Sequence, residues 1–185
     1  MENKLLWRSD IDDWEQGSVD SYKFVIEQAK ERLNDIIQES ETITKRGMTI
    51  LLSYIVALSG LMGYINSDKF RIHSDLLTII IITILAILSI YVFGLLFRLI
   101  SSKGVFYKGS PPIEIFYREV FEGLSDESGF KSILYNEVER IQNKIDWMKK
   151  LNDERLVLYG TTLKFSLFFV AVAIFTMAKT IYSQS

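Results

Sequence analysis

A chain of 185 residues with two prolines, one histidine, no cysteine and a formal charge of −2 is long enough for one domain with an appendage. The missing cysteines exclude disulfides, iron–sulfur clusters, thiolate zinc sites and cysteine nucleophiles, and the lone His73 leaves no partner for a multi-histidine metal site. The near-neutral balance offers no basic stripe for direct nucleic-acid binding, and the 49% apolar share looks ordinary until its distribution along the chain is followed.

Residues 1–17 form an acidic arm carrying Trp7, Trp14, Asp10, Asp12, Asp13 and Glu15. It lacks the glycine-turn spacing of a calcium loop, so it reads as a solvated arm or a docking segment and not as a metal site. Residues 18–46 then place Tyr22, Ile26, Ala29, Leu33, Ile36, Ser40 and Ile43 at alternating steps of four and three. That 3.5-residue period is a helix-pairing seam, with Ser18 as the N-cap.

From Gly47 to Ser67 there are 21 residues without a charge. A hydrocarbon core of about 30 Å needs roughly 20 apolar residues, so 47–67 is predicted as the first transmembrane helix, against a buried helix of a globular bundle. Because this run begins only at residue 47, behind a charged leader, no cleavable signal peptide is expected. The first span carries Ser53, Ala57, Ser59, Gly60 and Gly63, small residues of the kind that let helices approach closely in lipid. They serve packing within one chain or self-association, in which case Thr49, Ser53 and Gly60 could line a narrow wet path.

A short loop, 68–75, leads to the second span at 76–100, whose 22 uncharged residues from Leu76 to Phe97 are apolar around the whole circumference. In the connection 101–129, Ser110-Pro111-Pro112 opens a short amphipathic helix at 111–123. Its acidic face suits packing on protein better than binding anionic lipid. Residues 130–160, capped by Ser125, repeat the seam spacing with Leu134, Val138, Ile141, Ile145, Met148, Asn152 and Arg155. Shifting the first seam by 112 residues lays Tyr22 on Leu134 and Ser40 on Asn152; helix pairing, within a chain or between chains, is the favoured arrangement over seams that each simply face the bilayer-proximal surface or another subunit.

The third apolar run, Phe165 to Ala178, has only 14 residues. With Lys164 and Lys179 lifting their ammonium groups toward the interfaces it extends to a span at 161–181, the alternative being a re-entrant helix. Nothing breaks a helix between either seam and the span that follows, so two continuous helices of about 70–80 Å are expected. Lysines and arginines collect before the first span and between the second and third. The positive-inside rule therefore places the N-terminus and residues 101–160 in the cytoplasm, with the C-terminus outside the plasma (inner) membrane.

Catalytic motifs are missing: there is no GxSxG, glycine-rich phosphate loop or HExxH, and no carboxylate inside a span. The expectation is an all-α polytopic membrane protein with three transmembrane helices and a coiled-coil-like stalk, not an enzyme, with no cofactor. Its expected partners are the lipid bilayer, further copies of itself and a cytoplasmic protein.

The order of a helix at Tyr22–Arg46, a hairpin of spans at 47–67 and 76–97 and a helix at Phe130–Arg155 resembles small bacterial membrane effectors of antiviral conflict systems, the SLATT group. The added span at 161–181 departs from that pattern. The resemblance implies oligomerisation and membrane permeabilisation on an upstream signal, and it supplies no site residues. A membrane anchor or sensor subunit that recruits a cytoplasmic protein and conducts nothing is the alternative.

Overall fold

Ser18 starts the first long helix by accepting the Ser21 amide on its Oγ at 3.1 Å, which satisfies one of the helix's free N–H groups. From there the computed structural model describes residues 14–67, 70, 75–101 and 126–182. After a single 3₁₀ turn at Trp14–Gln16, three α-helices make up the described chain: α1 (Val19–Ile65), α2 (Leu76–Ser101) and α3 (Asp126–Tyr182). Among the described residues there is no strand. Trp7, Asp10, Asp12, Asp13, His73, Ser125 and the amphipathic helix expected at 111–123 lie outside the described residues.

Two compact units divide these helices, one built from residues up to Ser40 with the segment ending at Asn152, the other from Glu41–Lys103 and from Asp153 onward. α1 has 47 residues and α3 has 57, and each continues from one unit into the other. In the first unit, Ile26, Leu33 and Ile36 of α1 form a buried cluster with Ile141, Ile145 and Met148 of α3. In the second, Tyr54 and Leu61 of α1, Leu85, Val92 and Leu96 of α2, and Phe169 and Ala173 of α3 form another. Gly47 permits close approach there, because a Cβ at that position would lie 2.9 Å from Leu99 Cδ2.

All three helices are long and apolar enough to cross a membrane. Only 11%, 17% and 22% of their most apolar stretches is buried, so most of the apolar surface faces outward. α3 makes the point residue by residue. Thr162, Ser166 and Thr176 point inward, whereas Leu167, Phe168, Ile174 and Phe175 are each 59–69% exposed. Water would favour the reverse arrangement; hydrocarbon favours this one. Lipid is the solvent that fits the surface of the second unit, and three candidate membrane-spanning helices point to a membrane location.

Candidate functional site

In the first unit the seam positions of α1 and α3 come together. Tyr22, Ile26, Leu33, Ile36 and Ser40 are buried and Ala29 is half-buried, facing Ile141, Ile145, Met148 and Asn152, with Leu134 and Val138 packed against the cluster. The rings of Tyr22 and Tyr135 meet edge to face at 6.4 Å, and the Tyr22 hydroxyl donates to the Trp14 carbonyl at 2.7 Å. Asn152 Nδ2 donates to the Ile36 carbonyl at 2.9 Å and to Glu39 Oε2 at 3.3 Å. Its Oδ1 is buried with no hydrogen-bond partner among the described residues. A buried polar group with directed hydrogen bonds favours one register, because a slipped pairing leaves its donor unsatisfied as well.

The second unit holds a buried guanidinium. Arg155 of α3 is 1% exposed, and its Nη2 donates to Thr44 Oγ1 of α1 at 2.7 Å and to the Leu99 carbonyl of α2 at 3.2 Å. Leu99 lies in the last turn of α2, where carbonyls have no partner within the helix and the dipole attracts a cation. One side chain thus joins all three helices of the unit. Burial pulls the Arg155 pKa down, though a guanidinium keeps its proton at any ordinary pH.

At the other end of α2, Asp75 accepts the Thr78 amide on Oδ1 at 2.8 Å, together with the Thr78 hydroxyl. Its Oδ2 pairs with Lys179 Nζ at 2.8 Å. The Lys179 ammonium, helped by both Thr78 donors, holds the Asp75 carboxyl well below the usual carboxylate range. Asp75 to Leu99 and Arg155 to Lys179 are both 24 residues, so these polar contacts close the two ends of an α2–α3 pair about 36 Å long. That length covers a hydrocarbon core of about 30 Å with an interfacial margin at each end. Between the ends, the Tyr54 and Phe169 rings pack at 4.9 Å, tilted by 57°. The Thr162 and Thr176 hydroxyls donate back to the carbonyls of Leu158 and Val172, both at 2.8 Å, while Ser166 Oγ is buried with no partner among the described residues.

The small residues of the first span are arranged differently. Ser53, Ser59, Gly60 and Gly63 are exposed, and only Ala57 packs partly against the core. Nothing lies within 4 Å of a Cβ built on Gly60 or Gly63, and Thr49 also faces outward. No other helix among the described residues therefore packs on Gly60 or Gly63. Among the described residues, no three of His, Asp and Glu come close enough to share a metal ion.

Two features escaped the sequence reading. Arg155 keeps step with the seam, but its charge counts it toward the cationic flank of the third span. The pairing of Asp75 with Lys179, 104 residues apart, had no local signal at all. In comparisons with protein-family models, curated proteins and solved structures, nothing matches this chain.

Proposed function

We propose that this protein is a non-enzymatic effector of the plasma membrane that self-associates and alters membrane permeability when a partner rearranges its cytoplasmic helices. The observation that carries this reading is helix continuity: α1 and α3 each supply a helix-pairing seam and a membrane-crossing segment without a break. A change imposed on the paired seams has a covalent, hydrogen-bonded route into the segments that face lipid. The cation count around the spans supports a cytoplasmic N-terminus and an outward C-terminus. The small residues of α1 that are exposed among the described residues support contact between copies. The resemblance in helix order to membrane effectors of antiviral conflict systems supports a role in bacterial defence.

Dye uptake in cells expressing the chain tests this reading. Leakage is expected with the intact protein and its trigger, and loss of leakage with Leu33→Glu combined with Ile145→Lys. Intact membranes with every candidate partner and trigger would sink it.

A second reading has an observation of its own. Phe24 and Trp147 of the first unit are 63% and 50% exposed, and Phe24, Val25, Arg32 and Lys149 border a groove over Ile36 and Ile145. Such a surface suits recruitment of a soluble protein to the membrane with no conduction. Capture of one defined partner that depends on Phe24, with the membrane potential undisturbed, would favour it.

A further inference from the structure

Two hydroxyls in the core of the second unit have no protein group to bond. Tyr54 of α1 and Ser166 of α3 are 1% and 7% exposed, and neither the Tyr54 hydroxyl nor Ser166 Oγ has a hydrogen-bond partner among the described residues. They share a depth. Counted from the contact of Arg155 with Thr44 and Leu99, Tyr54 stands 10 residues along α1 and Ser166 11 residues along α3, about 15–17 Å into the span. Ser89 stands 10 residues back along α2, at the same level. The count from the opposite end agrees, with 14 residues from Asp75 to Ser89 and 13 from Ser166 to Lys179. One hydroxyl from each helix therefore lies in a single layer near the middle of the bundle.

Each sits on the inward side of its helix. Ser89 keeps step with the buried Leu85, Val92 and Leu96, and Ser166 with the buried Thr162, Phe169 and Ala173. The Tyr54 ring packs on Phe169, one turn from Ser166. Ser89 is placed to interact with the Tyr54 hydroxyl, but its own proton goes to the Ala86 carbonyl at 2.7 Å, which leaves it an acceptor. Thr162 and Thr176 return their hydroxyls to their own helix; Ser166 does not.

Hydrocarbon supplies no solvent at that depth, so a donor left unmet there is costly. Water suits the layer: it is neutral, accepts and donates at once, and needs about two to four polar partners and room. Three hydroxyls supply the partners. Two of them belong to serines, whose side chains leave space that Leu85 and Val92 fill in the layers on either side. An ion suits it less well, because no charged residue lies from Gly47 to Ser67 or from Leu76 to Phe97.

We propose that Tyr54, Ser89 and Ser166 bind one water molecule between the three helices near the middle of the bilayer, the water accepting from the Tyr54 and Ser166 hydroxyls and donating to Ser89 Oγ. The site is a polar joint common to all three spans. It rests on the placement of the second unit in lipid and is independent of permeabilisation.

X-ray radiolysis of the full chain in nanodiscs, read by mass spectrometry, tests it, because hydroxyl radicals formed from an ordered water label the side chains that hold it. After correction for the intrinsic reactivity of each ring, Tyr54 is expected to label well above the lipid-facing Phe168, and Ser166→Ala to lose most of that labelling. Alanine suits a helix interior, so the variant folds. Its thermal midpoint is expected to fall by about 1–6 °C, the loss of one hydrogen-bonded hydroxyl. Labelling of Tyr54 no greater than that of Phe168 overturns the proposal, as does equal labelling of Tyr54 in Ser166→Ala. An unchanged or raised midpoint in Ser166→Ala overturns it too, because deleting a buried hydroxyl that bonds nothing costs no stability.

Discussion

The junction at Arg155 makes a quantitative demand. Its Nη2 reaches Thr44 Oγ1 at 2.7 Å with both groups buried, a distance and environment in which a charge-assisted hydrogen bond contributes about 1.5–3 kcal/mol net. Replacing Arg155 alone does not isolate that term. Arg155→Met removes the bond to Thr44 and the longer one to the Leu99 carbonyl at 3.2 Å, but it also removes the cost of burying a guanidinium, and the two effects oppose each other. A double-mutant cycle with Thr44→Val and Arg155→Met subtracts whatever else each side chain does. Unfolding in detergent or nanodiscs, followed by circular dichroism, is expected to give a coupling of about 1.5–3 kcal/mol, which for a chain of this size corresponds to roughly 3–12 °C in Tm. A coupling within about 0.5 kcal/mol of zero would refute the claim that Arg155 ties α1 to α3 through Thr44.

Three further outcomes follow from the packing. Leu33→Ala, at a position 2% exposed, is expected to cost about 2–5 kcal/mol, whereas Phe24→Ala, at 63%, is expected to leave the thermal midpoint nearly unchanged; similar costs at both would undo the seam assignment. Gly47→Leu is expected to destabilise strongly because Leu99 already occupies the space, while Gly60→Ala is expected to leave the monomer as stable or more so. A Gly60→Leu variant that loses oligomer mass in native mass spectrometry would place the self-association face there, and one that keeps it would remove that face from consideration. The depressed pKa of Asp75 means that the folded state binds this proton less readily than the unfolded chain, so its stabilisation is complete above the unfolded carboxylate value of about 3.9 and is lost as pH falls below it. Melts of the wild type and Asp75→Asn are therefore expected to differ by a constant amount from pH 7 down to about 5 and to converge below about 4; a gap that widens on acidification would contradict the Lys179 pairing.

The membrane-crossing segments were legible because lipid imposes a requirement that acts residue by residue: no charge for about 20 positions. The runs at 47–67 and 76–97 meet it without help from tertiary structure. The third was harder to read, because Lys164 interrupts it and because its inward face is built from Thr162, Ser166, Ala173 and Thr176, residues that a search for a core passes over. In lipid the core is recognised by small and weakly polar side chains, and apolarity marks the outside. The first unit shows the opposite pattern. Tyr22, Ile26, Leu33 and Ile36 carry a 3.5-residue period against a polar background; the structure buries Ile26, Leu33 and Ile36 against Ile141, Ile145 and Met148, and Tyr22 beside Tyr135.

The polar contacts were not legible in the same way. Arg155 falls on the seam period, yet a guanidinium goes to water unless acceptors wait inside, and those acceptors are Thr44 and the Leu99 carbonyl, 111 and 56 residues away. Asp75 caps α2, and nothing near it in the sequence points to Lys179. A sequence lists acceptors and cations, but only packing decides which of them meet.

The most direct test of the central claim uses the chain's lack of cysteine. Single cysteines at Ile87, Phe168 and Phe175 of the second unit and at Lys30 of the first, spin-labelled in reconstituted vesicles, report collision with oxygen and with a water-soluble nickel chelate. Oxygen is expected to dominate at Ile87, Phe168 and Phe175, and the chelate at Lys30. Chelate collision at Ile87 and Phe168 equal to that at Lys30 would mean that water and not lipid bathes those faces, and the account would fall.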